Sequence, residues 1–288
     1  MYLRSIATGL LFLLAAPASA QVYEHWERPR NALTLPVSSP VAVDIYLPQE
    51  QLYALELSTN PMLVGGLAGA LVMNRNDSIN DRQEGIAARL MADVPEVDYD
   101  KLLNDAFVEH VGAAQFTQIK RVTVHRASPA DVEKATPGDP DEQTLSLVVR
   151  YYLSPALRDL RVVMAARLGP RGLVTALPSA KQQPAFTQFL VYDVPGVKRA
   201  FASEESRTAV WTEMGGGAIA DHVRAGMEGV MAMLAYELGT GPSFGRLPGK
   251  QIAWAEGQTF NYGVAESHVG DRMLVRLRNG LLVSLPEK

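Results

Sequence analysis

The sequence predicts an α+β fold: a mostly antiparallel meander sheet with helices packed on one face, and a small β-hairpin region at the C-terminus. Three observations carry this. Four stretches rich in Val, Leu, Thr and aromatics, 116–125, 144–153, 160–168 and 185–191, follow one another with turn-forming separators between them. Apolar residues at 219, 223, 227, 230, 234 and 238 step by four or three, the spacing of one helix face that must pack on something large. Composition, with 47% hydrophobic and 20% charged residues, is that of an ordinary globular chain able to build a core.

The chain opens with Arg4, an apolar run from Ile6 to Ala16 and the small residues Ala18-Ser19-Ala20, the three parts of a cleavable secretory signal. That run is far shorter than the roughly 20 residues a membrane-crossing helix needs. Residues 1–20 are therefore expected to be removed, leaving an exported, periplasmic or secreted, soluble product with no transmembrane segment. No Cys stands near the cut to accept a lipid, so a lipoprotein is not expected. Residues 21–40 are polar and carry Pro29, Pro36 and Pro40, which suits an extended arm. An α+β domain is expected over 41–239, and a Gly-rich loop with the terminal hairpin over 240–288.

Within that domain, Val41–Leu47 is a β-rich run stopped by Pro48. Met62–Met73, then Ile79, Ile86 and Leu90, follow helical spacings up to Pro95. Asp98 can cap a helix whose Tyr99, Leu103, Phe107 and Val111 form one stripe, and Gly112 stands where helices stop. The separator 127–143 holds Pro129, Pro137-Gly138 and Pro140 among charges and reads as a solvated hairpin loop. Ser203 opens the long helix with Glu204 and Glu205 at its positive end, and Gly215-Gly216-Gly217 interrupts it. In the terminal hairpin, a three-residue turn Arg278-Asn279-Gly280 sets Val275 against Val283 and Leu277 against Leu281. Gly280 is then left-handed.

Several chemistries are excluded. A formal charge of −4 with no basic run gives nucleic acid no electrostatic support. With no Cys, thiol catalysis and Cys-based metal sites are impossible. The five histidines make no pair at ligand spacing, and Asn74, Asn76, Ser78 and Asn80 lack the Gly and closing Glu of a calcium loop, so no metal and no cofactor is expected. Met227, Met231 and Met233, at helical spacing, read as core filler.

Two constellations are candidates. Gly241-Pro-Ser-Phe-Gly245 fits the pattern of a nucleophile elbow, and Glu256 or Glu266 and then His268 follow it in acid-then-histidine order. The elbow needs a strand before and a helix after, whereas here a helix ends at Leu238–Gly239 and Pro248-Gly249 follows closely, which favours a plain turn. Gly65, Gly66 and Gly69 place small residues four apart, which permits close approach of another backbone, either within this chain or from a partner.

The stretch Gly65–Leu71 and the segment Met231–Gly239 resemble a group of uncharacterised exported cell-envelope proteins of proteobacteria. That resemblance implies an envelope location and no catalytic residues. The expectation is a non-catalytic exported protein that binds another envelope component or a small apolar ligand. The alternative is a serine hydrolase acting through Ser243.

Overall fold

A computed structural model describes residues 30–31, 37–49, 53–54, 85–86, 89–90, 92, 94–114, 116–154, 157–175, 184–196, 203–240, 250–256, 259–277 and 280–287. In chain order the strands are β1 (Arg30–Asn31), β2 (Val41–Tyr46), β3 (Tyr53–Ala54), β4 (Ile119–His125), β5 (Gln143–Leu153) and β6 (Asp159–Pro170). They continue with β7 (Phe186–Pro195), β8 (Gln251–Glu256), β9 (Thr259–Val269), β10 (Arg272–Leu277) and β11 (Leu282–Pro286). All join one sheet, in the order β4-β2-β5-β6-β7-β11-β10-β9-β8, with β1 on β7 and β3 on β5.

The α+β class holds, but the sheet is mixed and is not a meander throughout. β2 lies between β4 and β5 and runs parallel to both, β3 is parallel to β5, and β11 is parallel to β7. Of the four expected meander strands, only β5, β6 and β7 are consecutive antiparallel neighbours. The segment after β4 is accordingly a crossover and not a hairpin loop. It carries helix α2 (Pro129–Ala135), whose preceding Ser128 accepts a hydrogen bond from the Asp131 amide while Pro129 takes the first turn, where no amide hydrogen is needed. Parallel strands require such a crossover. β2 is buried at every residue, which suits a strand inside a parallel group.

Helix α1 (Tyr99–Ala106) starts where Asp98 caps it, its carboxylate accepting from the Lys101 amide, and continues as one wide turn, Phe107–Val111, to Gly112. Leu103, Phe107 and Val111 of the expected stripe are buried, as are the helical Ile86 and Leu90. A single turn, α3 (Arg171–Val174), follows β6. Helix α4 (Glu204–Thr240) bends at Gly215, whose φ of 72° breaks the helical path inside the glycine triplet. All six residues of its stripe, from Ile219 to Leu238, are buried, and so are Met227, Met231 and Met233. It seats on β6 and β7 through Gly226 and Gly229: a Cβ added there would lie 2.3 Å from Val162 and 2.2 Å from Tyr192. Among the described residues no helix is long and apolar enough to cross a membrane.

The main core lies between α4 and α1 and one face of β2, β5, β6 and β7, with Ile45, Leu147, Val162 and Leu190 among its members. A second apolar cluster, built on Val163, Phe189, Val191, Val275 and Val283, occupies the opposite face. The C-terminal hairpin has the expected register, Val275 against Val283 and Leu277 hydrogen-bonded to Leu281, with Gly280 at φ 90°. Its arginine face is not solvated. Arg272 and Arg276 point to the α4 side and are buried, because the hairpin is stitched through β11 to β7 inside the main sheet.

Candidate functional site

Strand alternation decides what collects beneath α2. Val41, Val43 and Ile45 of β2 face the main core, so Asp44 and Tyr46 project from the other face. The parallel register sets Ala42 beside Arg121, Asp44 beside Thr123 and Tyr46 beside His125, which brings Arg121, Thr123 and His125 to that same face. Arg171 arrives there from the first residue of α3. Helix α2, lying over these groups, departs from the expectation that helices gather on one face only.

Asp44 is fully buried, and its carboxylate accepts from Arg121 Nη1 at 2.7 Å and from Arg171 Nη1 at 2.9 Å. His125 Nε2 lies 3.3 Å from the same oxygen that Arg121 uses. Around this hub Arg171 Nε donates to Glu133 of α2 at 2.9 Å, Arg121 Nη2 donates to Glu142 at 2.9 Å, and Lys120 Nζ donates to the other Glu142 oxygen at 2.8 Å. Three carboxylates thus meet three permanent cations, and the network closes without excess charge. A buried carboxylate survives only when paired in this way.

The protonation balance follows the contacts. Burial opposes the charges of Arg121 and Arg171, and the surrounding carboxylates more than offset it, so both guanidiniums stand above their ordinary range. The hydrogen bond from Lys120, helped by Arg121 and opposed by burial, holds Glu142 below its ordinary value. Tyr46, stacked on His125 with ring centroids 4.9 Å apart, is pushed up to about 12, by burial first and by the Asp44 charge second. Its hydroxyl is buried and has no hydrogen-bond partner.

Above this floor opens a cleft of about 610 Å³. One side is charged: Arg121, His125 and Glu142 are within reach of solvent, and Asp131 of α2 adds an exposed carboxylate to the lining. The other is apolar: Val132 and Ala135 of α2, Pro137 after it, and Ala127 before it. Asp44 orients His125 as a carboxylate orients a general base. A nucleophile would have to lie in hydrogen-bond reach of that base, yet among the described residues the His125 ring contacts only Asp44 in this way.

The residues singled out from sequence lie elsewhere. Ser243 falls in 241–249, and Gly65, Gly66 and Gly69 fall in 55–84, both outside the described residues, as do residues 1–29 and the Asn74–Asn80 stretch. Glu256 ends β8, its backbone paired with Thr259. Glu266 and His268 share β9 but not a site. The register shift opposite Leu274 and Val275 leaves Glu266 as the extra residue of a bulge, and its Oε2 accepts from Arg276 Nε at 2.7 Å. His268 is exposed across from Met273, with Nε2 3.4 Å from Glu287. Among the described residues no group of His, Asp and Glu is arranged to hold a metal ion.

Comparison with family models, characterised proteins and solved structures finds no significant match. The geometry of the cleft therefore carries the functional reading. Its residues were absent from the sequence-derived candidates, although two signals mark them: a lone Asp inside the apolar run Val41–Leu47, and the strict alternation Arg121-Val-Thr-Val-His125.

Proposed function

We propose that this chain is an exported, non-catalytic binding protein and that the cleft over Asp44 is its recognition site. One observation carries the reading: a polar floor whose buried carboxylate is paired with two arginines lies opposite a largely apolar wall across a space of about 610 Å³. Paired charges hold the polar groups of such a floor in fixed directions, and a volume of that size falls in the range of small-molecule sites. The ligand this favours has an apolar body for Val132, Ala135 and Pro137 and a polar head that accepts a hydrogen bond from Arg121 and meets the His125 ring. Export rests on the tripartite start of the sequence. The hydrolase alternative gains nothing from Glu266, whose carboxylate is engaged by Arg276.

Titration with anilinonaphthalene sulfonate, an apolar ring system bearing an anionic head, tests this reading. Saturable binding at one site is expected, weakened by Arg121→Gln and by Val132→Asp in folded protein. Binding that ignores both substitutions would contradict it, and so would turnover of an activated ester that Ser243→Ala abolishes. N-terminal sequencing of the protein from its native host should find Gln21 first, and an intact Met1 would count against export.

A further inference from the structure

Beneath the C-terminal turn of α4, a second charged cluster is buried without balance. Arg276 of β10 donates through Nη2 to Glu237 Oε1, through Nε to Glu266 Oε2 at 2.7 Å and through Nη1 to the Gly280 carbonyl at 3.1 Å. Glu237 is completely buried and the Arg276 side chain is 1% exposed. One guanidinium thus faces two carboxylates, and Glu266 alone suffices to neutralise it. An ionised Glu237 would leave an excess negative charge in a place where charge is costly.

Two further observations point the same way. Glu237 stands in the last turn of α4, where the carbonyl end of the helix repels a carboxylate and no basic residue of that turn answers it. Glu237 Oε2 is buried with no partner. Gln188 Oε1, on β7, is also buried without a partner, but the Gln188 amide, which donates to the Gly280 carbonyl at 3.3 Å, also hydrogen-bonds Glu237 and favours its charged form. Both orphan atoms are acceptors. A proton on Glu237 Oε2 turns that orphan acceptor into a donor and removes the excess charge. The remaining titratable neighbour, Tyr236, adds no positive charge.

We infer that Glu237 carries a proton in the folded protein, and that losing it loosens the seam between the end of α4 and the β9-β10-β11 edge. Burial pushes this carboxyl up to about 7 against the opposing pull of Arg276 and the Gln188 amide, while Glu266 adds to the rise. The folded state then holds the proton more tightly than the unfolded chain, so stability falls as pH climbs from the ordinary glutamate value of 4.5 to about 7 and levels above it.

Infrared spectroscopy of the wild type at about pH 6 should show the carbonyl band of a protonated carboxyl that fades by about pH 9 and is missing from Glu237→Gln. Urea midpoints should fall from about pH 4.5 to about pH 7 and level above it in the wild type but not in Glu237→Gln. Amide exchange in β10, β11 and the last turn of α4, corrected for intrinsic rate, should rise over that window in the wild type alone. Glu266→Gln makes Glu237 the sole carboxylate for Arg276, so the titration should move to lower pH. It can be read even if Glu237→Gln does not fold. Absence of the band, parallel midpoint profiles in the two proteins, exchange indifferent to pH, or a Glu266→Gln titration that stays in place would each overturn the inference.

Discussion

Asp44→Asn removes the hub of the cleft while keeping its shape. The carboxylate is completely buried, whereas its two guanidinium partners differ: the Arg171 side chain is 6% exposed and that of Arg121 is 37% exposed. Losing a hydrogen bond between buried charged groups costs about 1.5–3 kcal/mol, and this applies to Arg171, which keeps Glu133 but cannot reach water. Arg121 retains Glu142 and turns to solvent, so its share is that of a surface pair, about 0–1 kcal/mol. The expected cost is about 3 kcal/mol, read as a lowered urea midpoint at unchanged slope. In the double variant Asp44→Asn with Arg171→Met neither buried charge is stranded. It should be more stable than the summed single changes predict, by at least about 1 kcal/mol. A loss below about 1 kcal/mol for Asp44→Asn, or strict additivity in the pair, would refute the view that Arg171 depends on Asp44.

Gly226→Ala should cost about 1–3 kcal/mol, because the new methyl lies 2.3 Å from a Val162 branch that has little freedom to turn, and Val162→Ala in the same chain should restore part of the loss. Unchanged thermal stability of Gly226→Ala would mean that α4 does not seat on β6 through this residue. Glu142 is depressed in the folded state by Lys120 and Arg121, so it adds stability that is present above the ordinary glutamate value and lost as pH falls below it. The difference in stability between wild type and Glu142→Gln should therefore be full at neutral pH and close on acidification; a gap independent of pH would contradict the pairing.

Local pattern made part of this molecule legible. Periodicity identified the stripe of α4 from Ile219 to Leu238, and the face pattern of the hairpin selected the register in which Val275 meets Val283. Asp98 marked a helix start because its side chain can accept from a first-turn amide, and the triplet at Gly215 marked a break because glycine tolerates a left-handed backbone. Strand order was not legible. Alternation says which side chains share a face, but nothing local says that β2, distant in sequence from both β4 and β5, slots between them. Without that insertion the 127–143 segment reads as a hairpin loop, and Asp44, Arg121, His125 and Arg171 remain four unrelated residues. The same limit hid Glu237 and Arg276, which a single helix or hairpin pattern places on two separate elements but never on one seam. Glu266 and His268 illustrate the converse: neighbours two apart on one strand, which a bulge directs to different partners.

Amide chemical-shift mapping of the folded protein, titrated with anilinonaphthalene sulfonate, tests most directly whether the Asp44 cleft is where a ligand enters. Saturable shifts concentrated at Arg121, His125, Val132, Ala135 and Gly138, and reduced in Arg121→Gln, are the expected result. Shifts centred on another surface, or none at concentrations that saturate the fluorescence, would contradict it.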